Sequence, residues 1–220
     1  MGIQVTEKHY KNNYVNREKF QLYYFIYKIV VELNLKSVLE IGIGPGVVAN
    51  LLKFNRLNVV TCDFAKYLFP DVLCDIRSLP FKKNSFDIII ASQILEHIPF
   101  GEMGSALDGL FKSTNRYILL TLPYNRHNFI FYFKVKINRY LYFRGMVNRF
   151  LDQYGECYFQ LGVRPFLKPF EFDGEHYWEI GYKEYPIDRI RTFFSSYGKI
   201  LLEKRVPFSP YHYAFLLEKQ

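Results

Sequence analysis

Short apolar runs alternate with longer amphipathic stretches along most of the chain. Residues 37–41, 59–63, 88–91 and 117–122 are brief and mostly β-branched or aliphatic, the pattern of strands buried on both faces. Between them, residues 47–54 and 101–112 carry apolar positions at helical spacing, and residues 10–33 do so through Phe20, Tyr23, Tyr24, Tyr27, Val30 and Val31. Pro186 suits a first helical position and Gly198 a helix end, which predicts a helix over 187–197. Two strands follow over 199–204 and 213–218, with residues 205–212 predicted as a linker longer than a tight turn. Strands alternating with helices in this way predict an α/β protein with a largely parallel sheet.

The first strand runs directly into Glu40-Ile41-Gly42-Ile43-Gly44-Pro45-Gly46, an acid followed by glycine at every second position. Lacking Cβ, these glycines allow unusual φ values and close approach of the backbone to a flat nucleoside. The dinucleotide pattern would need glycine at position 47, where Val47 stands, so NAD and FAD are disfavoured. Asp63 ends the second strand about twenty residues later.

From residue 38 to residue 97 this series resembles the class I S-adenosylmethionine (SAM) dependent methyltransferases, in particular the type 11-like members that act on small molecules and glycans. The resemblance implies a Rossmann-like, doubly wound α/β fold with a seven-stranded sheet of order 3-2-1-4-5-7-6, the last strand antiparallel. It also implies SAM or its product SAH as cofactor, held by Glu40, Gly42, Ile43, Gly44, Gly46, Asp63 and Phe64. Asp75 would take the adenine amino group and the Ile76 backbone a ring nitrogen. Ser92 and Gln93 follow the fourth strand in a segment that includes the family's Glu-His pair, here Glu96-His97.

At 220 residues the chain is expected to form one domain over 1–220, with a substrate-lid insertion over 123–185 between strand five and the next helix. The start of that insertion is unusual. Residues 123–150 hold six basic residues, no acid and nine Phe or Tyr, a large share of the net charge of +8. Phe129, Ile130, Phe133, Ile137, Tyr140, Leu141 and Arg144 recur at three- and four-residue steps, which predicts an amphipathic helical face. Three uses stay open: packing on the main domain with the cations in water, contact with an anionic membrane surface, and nucleic-acid binding. Nucleic acid is the least favoured, because enzymes methylating its amino groups carry Asn or Asp before Pro-Pro and an aromatic where this chain reads Ser92-Gln93-Ile94-Leu95.

Methyl transfer to a hydroxyl needs close positioning and benefits from a general base. His97, after the cofactor segment, and His176, in the insertion, are the candidates. Tyr124, His176, Tyr177, Trp178 and Glu179 are the candidate acceptor-binding residues, the sole Trp offering a stacking face or else plugging the insertion into the core. Tyr14 and Arg17 are further candidates for the SAM carboxylate. Cys62, Cys74 and Cys157 lack metal or disulfide spacing and are expected as reduced thiols, and no metal site is expected. With no apolar run long enough to span a bilayer and no leader-like N-terminus, the expected location is the cytoplasm, with peripheral membrane contact as a variant. The expected partner is a small-molecule or glycan acceptor, lipid-linked in one version, for O-methylation. A non-catalytic SAM-binding module and an RNA methyltransferase are the alternatives.

Overall fold

A computed structural model describes residues 14–125, 128–134, 156–162 and 168–220. Helix α1 (Arg17–Glu32) opens on Asn16, whose side chain accepts the Lys19 N–H at 2.9 Å, satisfying one of the orphan donors of the first turn. Then follow β1 (Ser37–Ile41), α2 (Val47–Phe54), β2 (Asn58–Asp63), β3 (Val72–Leu73), β4 (Phe86–Ser92), α3 (Met103–Ser113) and β5 (Thr114–Pro123). After the insertion come α4 (Ile187–Ser195), β8 (Lys199–Val206) and β9 (Ser209–Glu218).

The sheet has seven strands in the order β3-β2-β1-β4-β5-β9-β8. β3, β2, β1, β4 and β5 are mutually parallel, while β9 runs antiparallel to both β5 and β8. Counting only the strands of this sheet, the order is 3-2-1-4-5-7-6 with the last strand antiparallel, as the sequence led us to expect. Alternate residues of the central strands feed two cores. Leu39, Ile41, Ile89 and Ala91 face α3 and α4, whereas Val38, Ile88 and Ile90 face α1 and α2. Burial on both faces is what made these strands read as unbroken apolar runs.

Two expectations at the edges need correction. Residues 205–212 are not a linker: β8 and β9 extend through them, and Val206 pairs with Ser209 across a turn formed by Pro207 and Phe208, the latter at φ 58°. Cys62 and Cys74, expected as reduced thiols, form a disulfide with Cα atoms 6.0 Å apart. Parallel pairing sets Cys62 against Val72, which brings Cys74 within bridging range although the spacing in sequence is unremarkable.

The chain divides into two units, Met1–Asn125 with Leu167–Gln220, and Arg126–Phe166. In the second unit β6 (Asn128–Lys134) pairs antiparallel with β7 (Glu156–Gly162), from Asn128 opposite Gly162 to Lys134 opposite Glu156. This overturns the helical face expected to begin at Phe129. Its first residues are aromatic and β-branched, suited to a pleated pair, and a helical period in so short an apolar run is ambiguous. Ile137, Tyr140, Leu141 and Arg144 lie outside the described residues. No helix among the described residues is long and apolar enough to cross a membrane.

Residues 168–185 belong to the first unit. Ile180 donates its N–H to the Pro123 carbonyl at 3.1 Å and accepts that of Asn125 at 2.9 Å, so the chain returns alongside the end of β5. Gly181 makes this possible: at φ 100° a Cβ would stand 2.3 Å from the Asn125 carbonyl oxygen.

Candidate active site

The glycine turn lies between β1 and α2, at the C-terminal edge of the sheet where open α/β folds bind ligands. Gly42, Gly44 and Gly46 all have positive φ (78°, 51° and 74°), and the space a Cβ would need at Gly42 is filled by Ile94, whose Cδ1 is 2.0 Å from that position. Gly42 donates to the Cys62 carbonyl at 2.8 Å and Ile43 to an Asp63 carboxylate oxygen at 3.0 Å. The other Asp63 oxygen accepts the Ala65 N–H at 2.8 Å. Asp63 therefore locks the turn to the end of β2, and each oxygen retains a lone pair for a hydroxyl donor. Burial pushes its pKa up while those N–H groups pull it down. Phe64 beside it is exposed.

Glu40 is buried under the turn, and one of its oxygens has no partner among the described residues. Burial pushes its pKa up to about 8, against the Ala49 N–H and the Lys53 charge. Asp75 is held by Arg77, whose backbone N–H and Nε both donate to one carboxylate oxygen at 2.9 Å, while a terminal guanidinium nitrogen contacts the other oxygen. Arg77 reaches Glu102 as well, at 2.7 Å, and the Asp75 pKa is lowered chiefly by the guanidinium. Ile76 is buried. At the end of β4, Ser92 pairs with the Thr121 hydroxyl at 2.8 Å, and Gln93, at φ 56°, donates its N–H to the Thr121 carbonyl.

A second group forms where the turn over Leu95–His97 meets residues 173–179. The His97 and His176 rings are 4.9 Å apart, edge to face. His97 Nδ1 meets the Glu175 carbonyl at 3.1 Å, and His176 Nδ1 meets Glu179 Oε1 at 2.6 Å. Tyr211 donates its hydroxyl to the same Glu179 oxygen at 2.6 Å. Burial pulls the His176 pKa down, but Glu179, Glu96 and Asp173 outweigh it and the net shift is upward. Glu96 is fully buried with neither carboxylate oxygen hydrogen-bonded among the described residues, and burial raises its pKa to about 8. Asp173 accepts the N–H groups of Glu175 and His176, at 2.9 and 2.7 Å, and so fixes the loop that presents His176. Lys19 lies over the Tyr14 ring at 3.4 Å, and both feel the charges of Glu96 and Glu175.

The structure thus brings the two histidines named from sequence together with Glu179, and adds Glu96, Tyr211 and Lys19. Glu96 stands in the sequence reading as His97's neighbour in the Glu-His pair, whereas Lys19 and Tyr211 gave no local signal. Trp178 is corrected: it is fully buried, its indole N–H donates to the carbonyls of Leu95 and Ile98 at 3.1 and 3.2 Å, and Phe100 packs edge-on against it. It presents no face to an acceptor. Tyr124 is also buried, against Tyr213, while Tyr177 stacks on Phe172 at 4.8 Å.

The sheet order, the antiparallel β9 and the glycine turn at the sheet's C-terminal edge are those of the Rossmann-like methyltransferase fold. Residues 39–116 match the family model described as a methyltransferase domain. Among solved structures, the PH0226 protein from Pyrococcus horikoshii OT3 superposes with a TM-score of 0.62 at 12% identity, covering 98% of this chain and 100% of that one. Magnesium protoporphyrin IX methyltransferase from Synechocystis PCC 6803, with bound SAH, gives 0.59 at 12% identity over 97% and 92%. The 1,6-didemethyltoxoflavin-N1-methyltransferase from Burkholderia thailandensis, with its substrate and SAH, gives 0.54 at 12% over 88% and 76%. A search of curated proteins finds no match.

Proposed function

We propose that this protein is a SAM-dependent methyltransferase that methylates an oxygen of a small molecule or glycan. The glycine turn carries the reading: three left-handed glycines beside a buried carboxylate with an unpartnered oxygen suit a ligand bearing a flat base, a diol and an amino group. The solved structures with SAH bound and a similar fold support the cofactor.

When bound, SAM supplies an electrophilic sulfonium methyl. The chain's own residues do the rest. The backbone of Gly42, Ile43, Gly44 and Gly46 forms the bed, Asp63 receives ribose hydroxyls beside Phe64, and Glu40 lies beneath. Asp75, oriented by Arg77, and Ile76 are assigned to the adenine, and Ser92 and Gln93 to the segment bordering the methyl. At the acceptor end His97 or His176 holds the hydroxyl proton, while Glu179 and Tyr177 line the acceptor. The insertion over 123–185 is read as an acceptor-selecting lid within a single domain over 1–220. We place the enzyme in the cytoplasm, with the basic stretch of the insertion as the part that would meet an anionic membrane surface.

Titration with SAM and SAH tests this directly. We expect binding in the micromolar range for the wild type and its loss in a folded Asp63→Ala variant, followed by a mass gain of one methyl in a sugar or small-molecule pool. A folded wild type that binds neither nucleoside removes the reading.

A further inference from the structure

We propose that Glu96, His97 and His176 form a site for a divalent first-row transition cation, placed to bind the oxygens of the acceptor. One ligand atom from each of these three residues lies within 4.8 Å of the others. A tetrahedral ion with bonds of about 2.1 Å sets its ligand atoms roughly 3.4 Å apart, so shifts of about an ångström, within the reach of side-chain rotation, would close the site.

Two independent features point to a cation. Glu96 is fully buried, and neither of its oxygens has a hydrogen-bond partner among the described residues. A buried carboxylate is normally paired or bound to metal; one left alone keeps its proton instead, which a binding cation would displace. Lys19 feels the Glu96 charge, but its ammonium rests on the Tyr14 ring and makes no hydrogen bond to either Glu96 oxygen. The histidines, in turn, are held as metal-binding histidines are. The Glu175 carbonyl can only accept, so the neutral His97 ring carries its proton on Nδ1 and its lone pair on Nε2. The contact of His176 Nδ1 with Glu179 fixes the same tautomer, with Tyr211 holding the carboxylate in turn. A carboxylate behind a ligating imidazole is the usual outer support of a metal site.

Asp173, His176 and Glu179 form an overlapping group, but Asp173 is exposed and occupied by two backbone N–H groups, and Glu179 is bound to His176 and Tyr211. Two imidazoles and one carboxylate favour zinc, manganese, iron or cobalt over magnesium or calcium, and they leave positions open for an acceptor with adjacent oxygens. This deepens the reading above and rests on it for its chemistry. The bound hydroxyl loses its proton to solvent, its oxygen forms the new bond to carbon, and the carbon–sulfur bond breaks with its electron pair left on sulfur. The histidines then act as ligands, and the lowered pKa of the bound hydroxyl replaces a protein base.

The test uses full-length protein stripped with EDTA and titrated with Co2+ or Zn2+ alone, followed by calorimetry and, for Co2+, visible absorption. One equivalent should bind, with d–d bands appearing as it does. Glu96→Gln and His176→Ala, each verified by circular dichroism, should lower affinity at least about 100-fold, and Glu179→Gln by about 10- to 100-fold. No stoichiometric binding to the folded wild type, or equal binding in Glu96→Gln and His176→Ala, overturns the proposal. SAH is titrated into the same samples. SAH binding without cation binding sinks the metal site alone, and cation binding without SAH binding upholds the site while removing the methyltransferase reading.

Discussion

Replacing Trp178 with Phe should destabilise the fold by about 2–4 kcal/mol. The indole N–H bridges the Leu95 and Ile98 carbonyls, which bracket Glu96 and His97, and the ring is fully enclosed with Phe100 against its face. Phenylalanine removes both hydrogen bonds, each contributing about 0.5–1.5 kcal/mol net. It also leaves a small void, adding about 1 kcal/mol. The Leu95 carbonyl keeps a second donor, the Ile98 N–H at 3.3 Å, so the Ile98 carbonyl bears most of the loss. For a chain of this length about 3 kcal/mol corresponds to a melting temperature lower by roughly 6–12 °C. Urea denaturation followed by far-UV circular dichroism measures it without relying on the fluorophore being removed. A loss below about 0.5 kcal/mol with an unchanged slope would place Trp178 among surface-like positions and refute the reasoning.

Gly42→Ala must hold a side chain at φ 78° and displace Ile94, so SAH affinity should fall more than about tenfold while the protein still folds at roughly 1–2 kcal/mol cost; unchanged titration curves would count against the glycine bed. Glu40 has a raised pKa, so its contribution to stability is full below its ordinary value and is lost as pH rises through about 8. Glu40→Gln should therefore lack that loss, and melting curves from pH 5 to 9 should separate by up to a few kcal/mol at the alkaline end; parallel curves would contradict it.

How much could be read from the sequence depended on whether a signal was local. β1 and the glycine turn were legible because an aliphatic strand, an acid and three glycines act within ten residues of one another. The β5–β9 pairing was legible only through family resemblance, since antiparallel contact between Tyr117 and Glu218 leaves no trace in either segment. β6 was misread because its aromatic run satisfies two periods at once, and only its partner β7 decides between them. The approach of His176 to His97 depends on Asp173 turning the loop and on Trp178 anchoring it, neither of which the spacing of histidines encodes. The Cys62–Cys74 bridge follows from strand pairing in the same way.

The burial of Trp178 and Ile180 also sets where this chain can be recombined with its relatives. A graft exchanging all of 123–185 would tear out part of the host's interior and the Gly181 crossing with it. A chimera with junctions near 126 and 166 would instead follow the division between the two units. Under the proposed lid role, variation that retunes specificity should fall inside those narrower junctions.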